Sequence, residues 1–498
     1  MKILPAGQIR NIDAYTIKNE PIRSIDLMER AAKAFTRWFT TRFSPKYQVT
    51  VICGTGNNGG DGLAVARMLN EKNYKVSLYA IKKSASASDD FKINEKRLEG
   101  LIHINKITSP GEVPEFSTGH IVIDAIFGSG LSRDVEGLYA DVIRAMNNSG
   151  NTIVSIDIAS GLFADRHTFS DIVVKPEFTV SFQIPKLAFF MPENSRYVGD
   201  WYIVDIGLMQ EAIEKEASDY FMLTDGFVKS ELKKREKFAH KGTHGRALVM
   251  AGSYGKMGAA VLCAKAALRT GVGLLTMNIP RCGYNIMQSV VPEAMVLPDE
   301  GDHFLTSYGD VSKFDALGIG PGIGQEQETV YSLMQVVQAF GKPLVIDADG
   351  LNIIAQHREI LEVLPSKTIL TPHPKEFERL AGKWSDDFER LEKLVAFASE
   401  NDVIVVLKGA HTSIALPTGE VYFNSSGNPG MASGGTGDVL TGMITSLLAQ
   451  GYLPEYAAKV GVYLHGVAGD LAAEVTGQIG MIASDLIDFI PDAYQNIR

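Results

Sequence analysis

The sequence predicts an α/β protein of two domains, each a mainly parallel sheet with helices on both faces. Short apolar runs alternate with stretches of helical spacing, the pattern of βαβ units. The alternation lapses near residues 215–225 and then starts afresh, which divides the chain into domains 1–220 and 221–498. Glycines cluster where the apolar runs end. They make up 48 of 498 residues, or about 10%, against a usual level of about 7%. Ligands of open α/β sheets sit beyond the carboxyl ends of the strands, so these clusters carry most of the functional argument.

In the first half, QVTVIC (48–53) is a strand running into GTGNNGGDG (54–62), and LAVARMLNEKN has helical spacing. KVSLYAI (75–81) is the next strand and Asp89–Leu98 the next helix. HIVIDAIFG (120–128) is a strand ending in glycine, LYADVIRAMNNSG a helix with a glycine stop, and TIVSIDIASG (152–161) another strand. WYIVDIGL is a last strand, MQEAIEKEASDY is polar and helical, and KSELKKREKFAHKGTHG (229–245) is basic and punctuated by glycine. The second half opens with the strand RALVMAGS (246–253) and the small-residue helix MGAAVLCAKAALRTG. FDALGIGPGIG (314–324), PLVIDADGLN (343–352), KTILTPHPKE (367–376) and VIVVLKGAHT (403–412) each begin as a strand, and TSIALPTGEVYFN is hairpin-like. Three helices close the chain, and the halves show no internal repeat.

Composition narrows the function. Apolar residues are 45% and charged residues 21%, an ordinary globular balance. The net charge of −10 offers no general basic surface to nucleic acid or anionic lipid. Cys53, Cys263 and Cys282 are scattered and odd in number. They fit neither a disulfide framework nor a zinc site and suit a reducing cytoplasm. MKILPAGQIRNIDAY holds no apolar signal core, and no uncharged apolar run is long enough to span a bilayer. The expectation is a cytoplasmic protein without nucleic-acid or membrane partners.

Gly54-Thr-Gly56-Asn-Asn-Gly59 has the G-x-G-x-x-G spacing of a dinucleotide loop. The second strand, however, ends in lysines and lacks the acidic residue that would hold a ribose hydroxyl, so no conventional redox Rossmann site is predicted. Asn57, Asn58, Gly59, Gly60 and Asp61 load a helix start with two amides and a carboxylate. Backbone N–H groups there can take phosphate, the side-chain oxygens can hold a hard cation or a sugar hydroxyl, and Asp61 can instead serve as a cap. Asp124 and Asp157 each end an apolar strand, and Ser160 either caps the next turn or coordinates a cation. Gly128, Ser129, Gly130, Leu131, Ser132, Arg133 and Asp134 supply glycines for close approach and an arginine able to meet phosphate.

In the second half, NPGMASGGTGD (428–438) precedes the apolar helix VLTGMITSLLAQG. Gly435, Thr436 and Gly437 offer successive N–H groups as an anion hole. Asp438 makes sense there as a base beside a hydroxyl being phosphorylated. Lys408, Gly409, Ala410, His411 and Thr412 follow a strand and offer a cation and a hydroxyl to a nucleotide phosphate, without the Walker spacing. His373 sits in a rigid loop between two prolines, either structural or at the ligand edge. His465, within an apolar helix, reads as a core histidine.

Together, GTGNNGGDG, DAIFGSGL and SIDIASGL resemble the epimerase domain of the NAD(P)H-hydrate repair proteins. KGTHGRALVMAGS, GIGPGIG, DADGLN, TPHPKE, KGAHT and NPGMASGGTGD resemble their nucleotide-dependent dehydratase domain, which is ribokinase-like. The resemblance covers nearly the whole chain in the family's order. It implies two three-layer αβα domains, the first Rossmann-like. It also implies two substrates, NADHX and NADPHX, in which water has added across the C5–C6 bond of the nicotinamide ring. The first domain would interconvert their C6 epimers. The second would dehydrate the S form with ADP or ATP as phosphoryl donor and magnesium as cofactor.

The resemblance places the hydrate along Asn57 to Asp61, Gly128 to Asp134, Tyr139 and Asp157, with Asp157 as proton shuttle. It gives potassium to Asn58, Asp124 and Ser160. In the second domain it assigns the hydrate to Ala259, Gly322, His373 and Asp438, and the nucleotide to Lys408 through Thr412 with Gly437. It also implies a homo-oligomer. Ala159 stands where the family commonly has proline and Gly350 where it has alanine, and neither change removes a functional group. The lysine that animal epimerase-type proteins carry in the middle loop is absent, with Ser132 nearby, so no second catalytic acid is assigned there. The rival reading is a small-molecule kinase with a non-catalytic ligand-binding N-terminal domain, which leaves the N-terminal motifs unexplained.

Overall fold

The β-branched run at 48–53 forms β1 (Gln48–Cys53), buried from Val49 onward, as a central parallel strand must be. The structure, a computed structural model, describes residues 1–82 and 86–497. One unit comprises Lys2–Ser218 with Asp386–Phe388. Its further strands are β2 (Lys75–Ile81), β3 (Ile104–Ile107), β4 (Ile121–Ala125), β5 (Thr152–Ile156), β6 (Phe178–Phe182) and β7 (Asp200–Val204). They lie in the order β3-β2-β1-β4-β5-β6-β7, and every pairing is parallel. The order reverses between β1 and β4, the kind of switch point where such sheets bind ligands. Register sharpens this: Cys53 pairs with Ala125, so the loops after both strands leave side by side.

Helices α1 (Ala6–Asn19), α2 (Ser24–Arg42), α3 (Asn57–Glu71), α4 (Asp89–Arg97) and α5 (Leu138–Asn148) accompany this sheet. Phe35 and Phe39 of α2 and Phe91 of α4 are wholly buried in its core. Each such burial contributes about 1.5–3 kcal/mol, enough to seat both helices.

The other unit comprises Met1, Asp219–Ser385 and Glu389–Arg498. Its strands are β8 (Tyr220–Met222), β9 (Arg246–Met250), β10 (Leu274–Ile279), β11 (Met295–Pro298), β12 (Ala316–Ile319), β13 (Val345–Ile346), β14 (Thr368–Leu370), β15 (Val403–Leu407), β16 (Ser413–Ala415) and β17 (Val421–Phe423). The order is β11-β10-β9-β12-β13-β14-β15-β16-β17-β8. It again reverses, here between β9 and β12. The run from β11 to β15 is parallel, β15-β16-β17 is antiparallel, and β8 joins β17 in parallel. The helices Met257–Thr270 and Thr436–Ala449 pack so closely that a Cβ at Gly442 would lie 2.2 Å from the Cys263 carbonyl oxygen.

Several elements depart from the sequence expectation. The polar segment after Met209 holds a helix only over Gln210–Lys215. The strand predicted over 152–161 stops at Ile156, because Asp157 turns to φ 67°. Strands β3, β6, β8, β10 and β11 carry too little alternation or glycine punctuation to have been read.

Candidate functional site

A cavity of about 700 Å³ opens at the β1–β4 switch point. It is lined by Asn57, Asn58 and Asp61 from the start of α3, by the 126–133 loop, and by Tyr139 and Asp157. The α3 start reaches this rim because glycines let backbones touch. A Cβ at Gly54 would lie 2.1 Å from the Ile126 carbonyl oxygen, and one at Gly59 would lie 2.0 Å from that of Gly54. Gly60 is closed in the same way by Met28. Gly59 and Gly60 therefore pack the helix rather than line the cavity, and Asp134 lies exposed outside it.

Four carboxyl groups line the cavity, Asp13, Asp61, Asp90 and Asp157, and their environments differ. Asp157 accepts from the Phe182 N–H at 3.3 Å and pairs with the ammonium of Lys186. Lys186 is itself buried and donates to Ser181 Oγ at 2.7 Å and Ile184 O at 3.2 Å. Burial, with Asp157, Asp13 and Asp90 nearby, holds the Asp61 carboxyl well above its ordinary value. Asp13 is pushed up to about 6 by burial and by Asp157, with Lys186 opposing.

Asn58 and Ser160 converge on Phe127, and Asp124 is joined to them through Ser160. Asn58 Nδ2 donates to Phe127 O at 2.9 Å, and the Phe127 N–H donates to Ser160 Oγ at 2.8 Å. Asp124 accepts from Ser160 Oγ at 2.6 Å, Ser160 N and Ser155 Oγ at 2.8 Å, and Ile126 N at 3.2 Å. Ser160 thus does more than cap a turn. Asn58 Oδ1 is buried with no hydrogen-bond partner among the described residues. An orphaned amide oxygen, with the Ser160 hydroxyl and the buried Asp124 carboxylate reached through the same stretch of backbone, makes an all-oxygen donor set of the kind that fits a hard cation such as potassium.

At the β9–β12 switch point, the helix Thr436–Ala449 starts at Gly435, with φ 96°. A Cβ at Gly437 would lie 3.3 Å from Lys408 Nζ and 3.8 Å from Asp347 Oδ2. The glycine is what lets this helix start approach the cation. Lys408 Nζ donates to Asp347 Oδ1 at 2.8 Å, and Thr441 Oγ1 donates to Asp347 Oδ2 at 2.7 Å. Burial works against the charge of Lys408, but Asp347, Glu376 and Asp438 hold its pKa above the ordinary lysine value. Asp438 is pushed up to about 6, by burial first and then by Asp347, with Lys408 opposing. A Cβ at Gly322, where φ is 66°, would lie 3.1 Å from the Lys256 carbonyl oxygen and 3.2 Å from Ala259 Cβ.

Two family descriptions match the chain: "NAD(P)H-hydrate dehydratase" over residues 247–492 and "YjeF-related protein N-terminus" over residues 24–188. Bifunctional NAD(P)H-hydrate repair enzymes from Thermofilum pendens and Moorella thermoacetica are 34% and 35% identical to it. Each alignment covers 100% of this chain and 97% of the relative. The chain belongs to the bifunctional NAD(P)H-hydrate repair enzymes.

Among solved structures, the ADP/ATP-dependent NAD(P)H-hydrate dehydratase of Bacillus subtilis, co-crystallised with ATP and Mg²⁺, is 31% identical. It superposes with a TM-score of 0.50 over 57% of this chain and 100% of its own. A ribokinase-like protein of Enterococcus faecalis is 27% identical, with a TM-score of 0.51 over 57% of this chain and 98% of its own. The C-terminal half of this repair enzyme is therefore ribokinase-like, and the kinase alternative loses to full-length relatives that carry both halves.

Within this repair enzyme the remaining predicted residues fall as follows. His373 caps the helix Pro374–Ala381 by accepting from Lys375 N at 3.1 Å and Glu376 N at 3.3 Å through Nδ1. That leaves Nε2 as the protonated nitrogen, 3.4 Å from Glu376. Burial and the nearby Lys408 keep the ring's pKa below its ordinary value. Thr412 Oγ1 closes the 408–412 loop onto Gly409 O at 3.1 Å, and His411 Nδ1 lies 3.2 Å from Asn424 O. His465 is more than core filling, since its Nε2 lies 2.9 Å from Thr436 O in the first turn of the glycine-started helix. Sequence reasoning missed Asp13, Lys186, Asp347 and Thr441. Asp347 ends an apolar strand just as Asp124 does, so the same signal could have found it. A single lysine or helical aspartate carries no such signal.

No helix among the described residues is long and apolar enough to cross a membrane.

Proposed function

We propose that residues 1–220 epimerise NADHX and NADPHX at C6, and that residues 221–498 dehydrate the S form at the expense of ADP or ATP. One observation carries the reading. A single chain holds two sheet switch points, one rimmed by carboxylates around a cavity and the other by a glycine-started helix with Lys408 and Asp438.

In the dehydratase half, ionised Asp438 takes the proton of the C6 hydroxyl as its oxygen attacks the terminal phosphorus of the nucleotide. The N–H groups of Gly435, Thr436 and Gly437 stabilise the charge on the transferring group. The ring-nitrogen lone pair then expels phosphate, which leaves far more readily than hydroxide, and the resulting iminium gives up its C5 proton to water as the C5=C6 double bond re-forms. Lys408, Gly409, Ala410, His411 and Thr412 hold the nucleotide with Gly437, while Ala259, Gly322 and His373 hold the hydrate. Magnesium, when bound with the nucleotide, would neutralise charge on its phosphates.

In the epimerase half, the hydrate lies along the α3 start, the 128–133 loop, Tyr139 and Asp157, with Asp134 outside the cavity. Asp157 moves the proton as the C6 centre opens and closes. Asn58, Asp124 and Ser160 would hold potassium, whose charge would fix the 126–130 loop beside the substrate. A cytoplasmic homo-oligomer completes the proposal.

The test is an R/S mixture of hydrated NADPH incubated with ADP. Complete recovery of reduced-nicotinamide absorbance is expected. No recovery overturns the dehydratase assignment, and recovery that stops when the S form is spent overturns the epimerase assignment.

A further inference from the structure

The epimerase cavity holds a carboxyl group that none of the motifs includes. Ile9, Arg10, Asp13, Ala14 and Ile17 of α1 all line it. These positions follow the i, i+4, i+8 spacing of one helix face, and Asp13 sits at its centre. The opposite side of α1 is anchored, because Ile12 is buried among Ile184, Ile206 and Leu208. The Ala6 N–H at the helix start donates to Asp165 at 2.9 Å. The helix is therefore held with Asp13 toward the cavity. Asp13 makes no hydrogen bond or ion pair with the described residues, whereas Asp157 is committed to Lys186. Of the four carboxyl groups that line the cavity, Asp13 and Asp157 have such different surroundings that the pair separates acid from base.

Building on the epimerase reading above, we propose that Asp13 is a second proton-transfer group of that reaction, protonating the C6 hydroxyl as it leaves. The Asp13 proton passes to the hydroxyl oxygen, the C6–O bond breaks, and the ring-nitrogen lone pair forms the N1=C6 iminium while water departs. Water then adds to the other face of C6, its proton goes to Asp157, and the iminium electrons return to nitrogen. Asp13 now stands ionised and Asp157 protonated, which readies the pair for the reverse conversion. The upward displacement of Asp13 to about 6 is consistent with a group that carries a proton near neutrality.

The test uses the full chain, an R/S hydrate mixture and ADP, and compares the parent with Asp13→Asn and Asp13→Glu. In Asp13→Asn, kcat for consumption of the R form is expected to fall at least about tenfold. KM, the fast S phase and the melting temperature are expected to stay at parent values, and Asp13→Glu is expected to recover part of the rate. A parent-like R phase in Asp13→Asn overturns the proposal, as does a change confined to KM. Should Asp13→Asn melt early, Asp13→Glu decides: an altered R-phase kcat at parent KM and melting temperature supports the role, and an unchanged kcat overturns it. A parent that consumes the R form no faster than it epimerises unaided refutes the epimerase reading itself, whatever Asp13 does.

Discussion

Asp438 and Asp347 show how one side chain sets the chemistry of another. Asp347 is buried and satisfied by Lys408 and Thr441, so it stays fixed, and its charge adds to the burial that lifts Asp438 to about 6. The base works only when ionised, so dehydration is expected to fall as pH drops through about 6, to roughly a tenth of its plateau one unit lower. An S-hydrate pH–rate profile checks this, and a flat profile down to pH 5 counts against Asp438 as base. Asp438→Asn is expected to lower the dehydration rate by about 100-fold or more while nucleotide binding persists, and loss of both would make the residue structural. On the other rim, Lys186→Met strands Asp157 without its cation. Breaking a buried pair typically costs about 3–5 kcal/mol, so the epimerase unit should unfold at visibly lower denaturant. Equal activity and equal hydrate affinity of the epimerase half in sodium and potassium buffers would remove the case for a cation at Asn58 Oδ1.

The start of α3 does its work as an element, since its glycines let it lie against the backbone leaving β1. Gly59→Ala would push a methyl group into the Gly54 carbonyl, a clash worth about 1–3 kcal/mol. The expected result is loss of the R phase and an earlier melt, with the S phase unchanged. This element also shows what the sequence could tell. The glycine run after an apolar strand located the rim correctly, because strand ends and helix starts leave local signals. Which glycines face ligand and which are packed was not legible, since that depends on Ile126, just after β4, and on Met28 of α2, both remote in sequence. The strand alternation predicted the central strands for the same local reason. The edge and short strands β3, β8 and β11 escaped because their pairing is decided by partners rather than by their own pattern. Asp13 and Lys186 escaped likewise, as their meaning comes only from the cavity that folding builds around them.

At the scale of the molecule, each unit has its own core and its own rim. Loss of function in one half should therefore be repairable by a second chain. A mixture of Asp157→Ala and Asp438→Asn proteins is expected to consume an R/S hydrate mixture completely, although neither does so alone. Failure of the mixture, with both proteins folded, would mean that the product of one reaction must reach the other within a single chain. The later sheet has a further consequence for how the protein is made. β8 begins this unit, yet its Tyr220 pairs with Val421 of β17, on a stretch translated far later. Met1 can already pair with Met222 of that strand, but the edge that meets β17 stays bare until residue 423 has been made, and bare strand edges are prone to unwanted association. Chains that terminate before β17 should therefore aggregate or engage chaperones during synthesis, which pelleting of ribosome-released truncations would reveal.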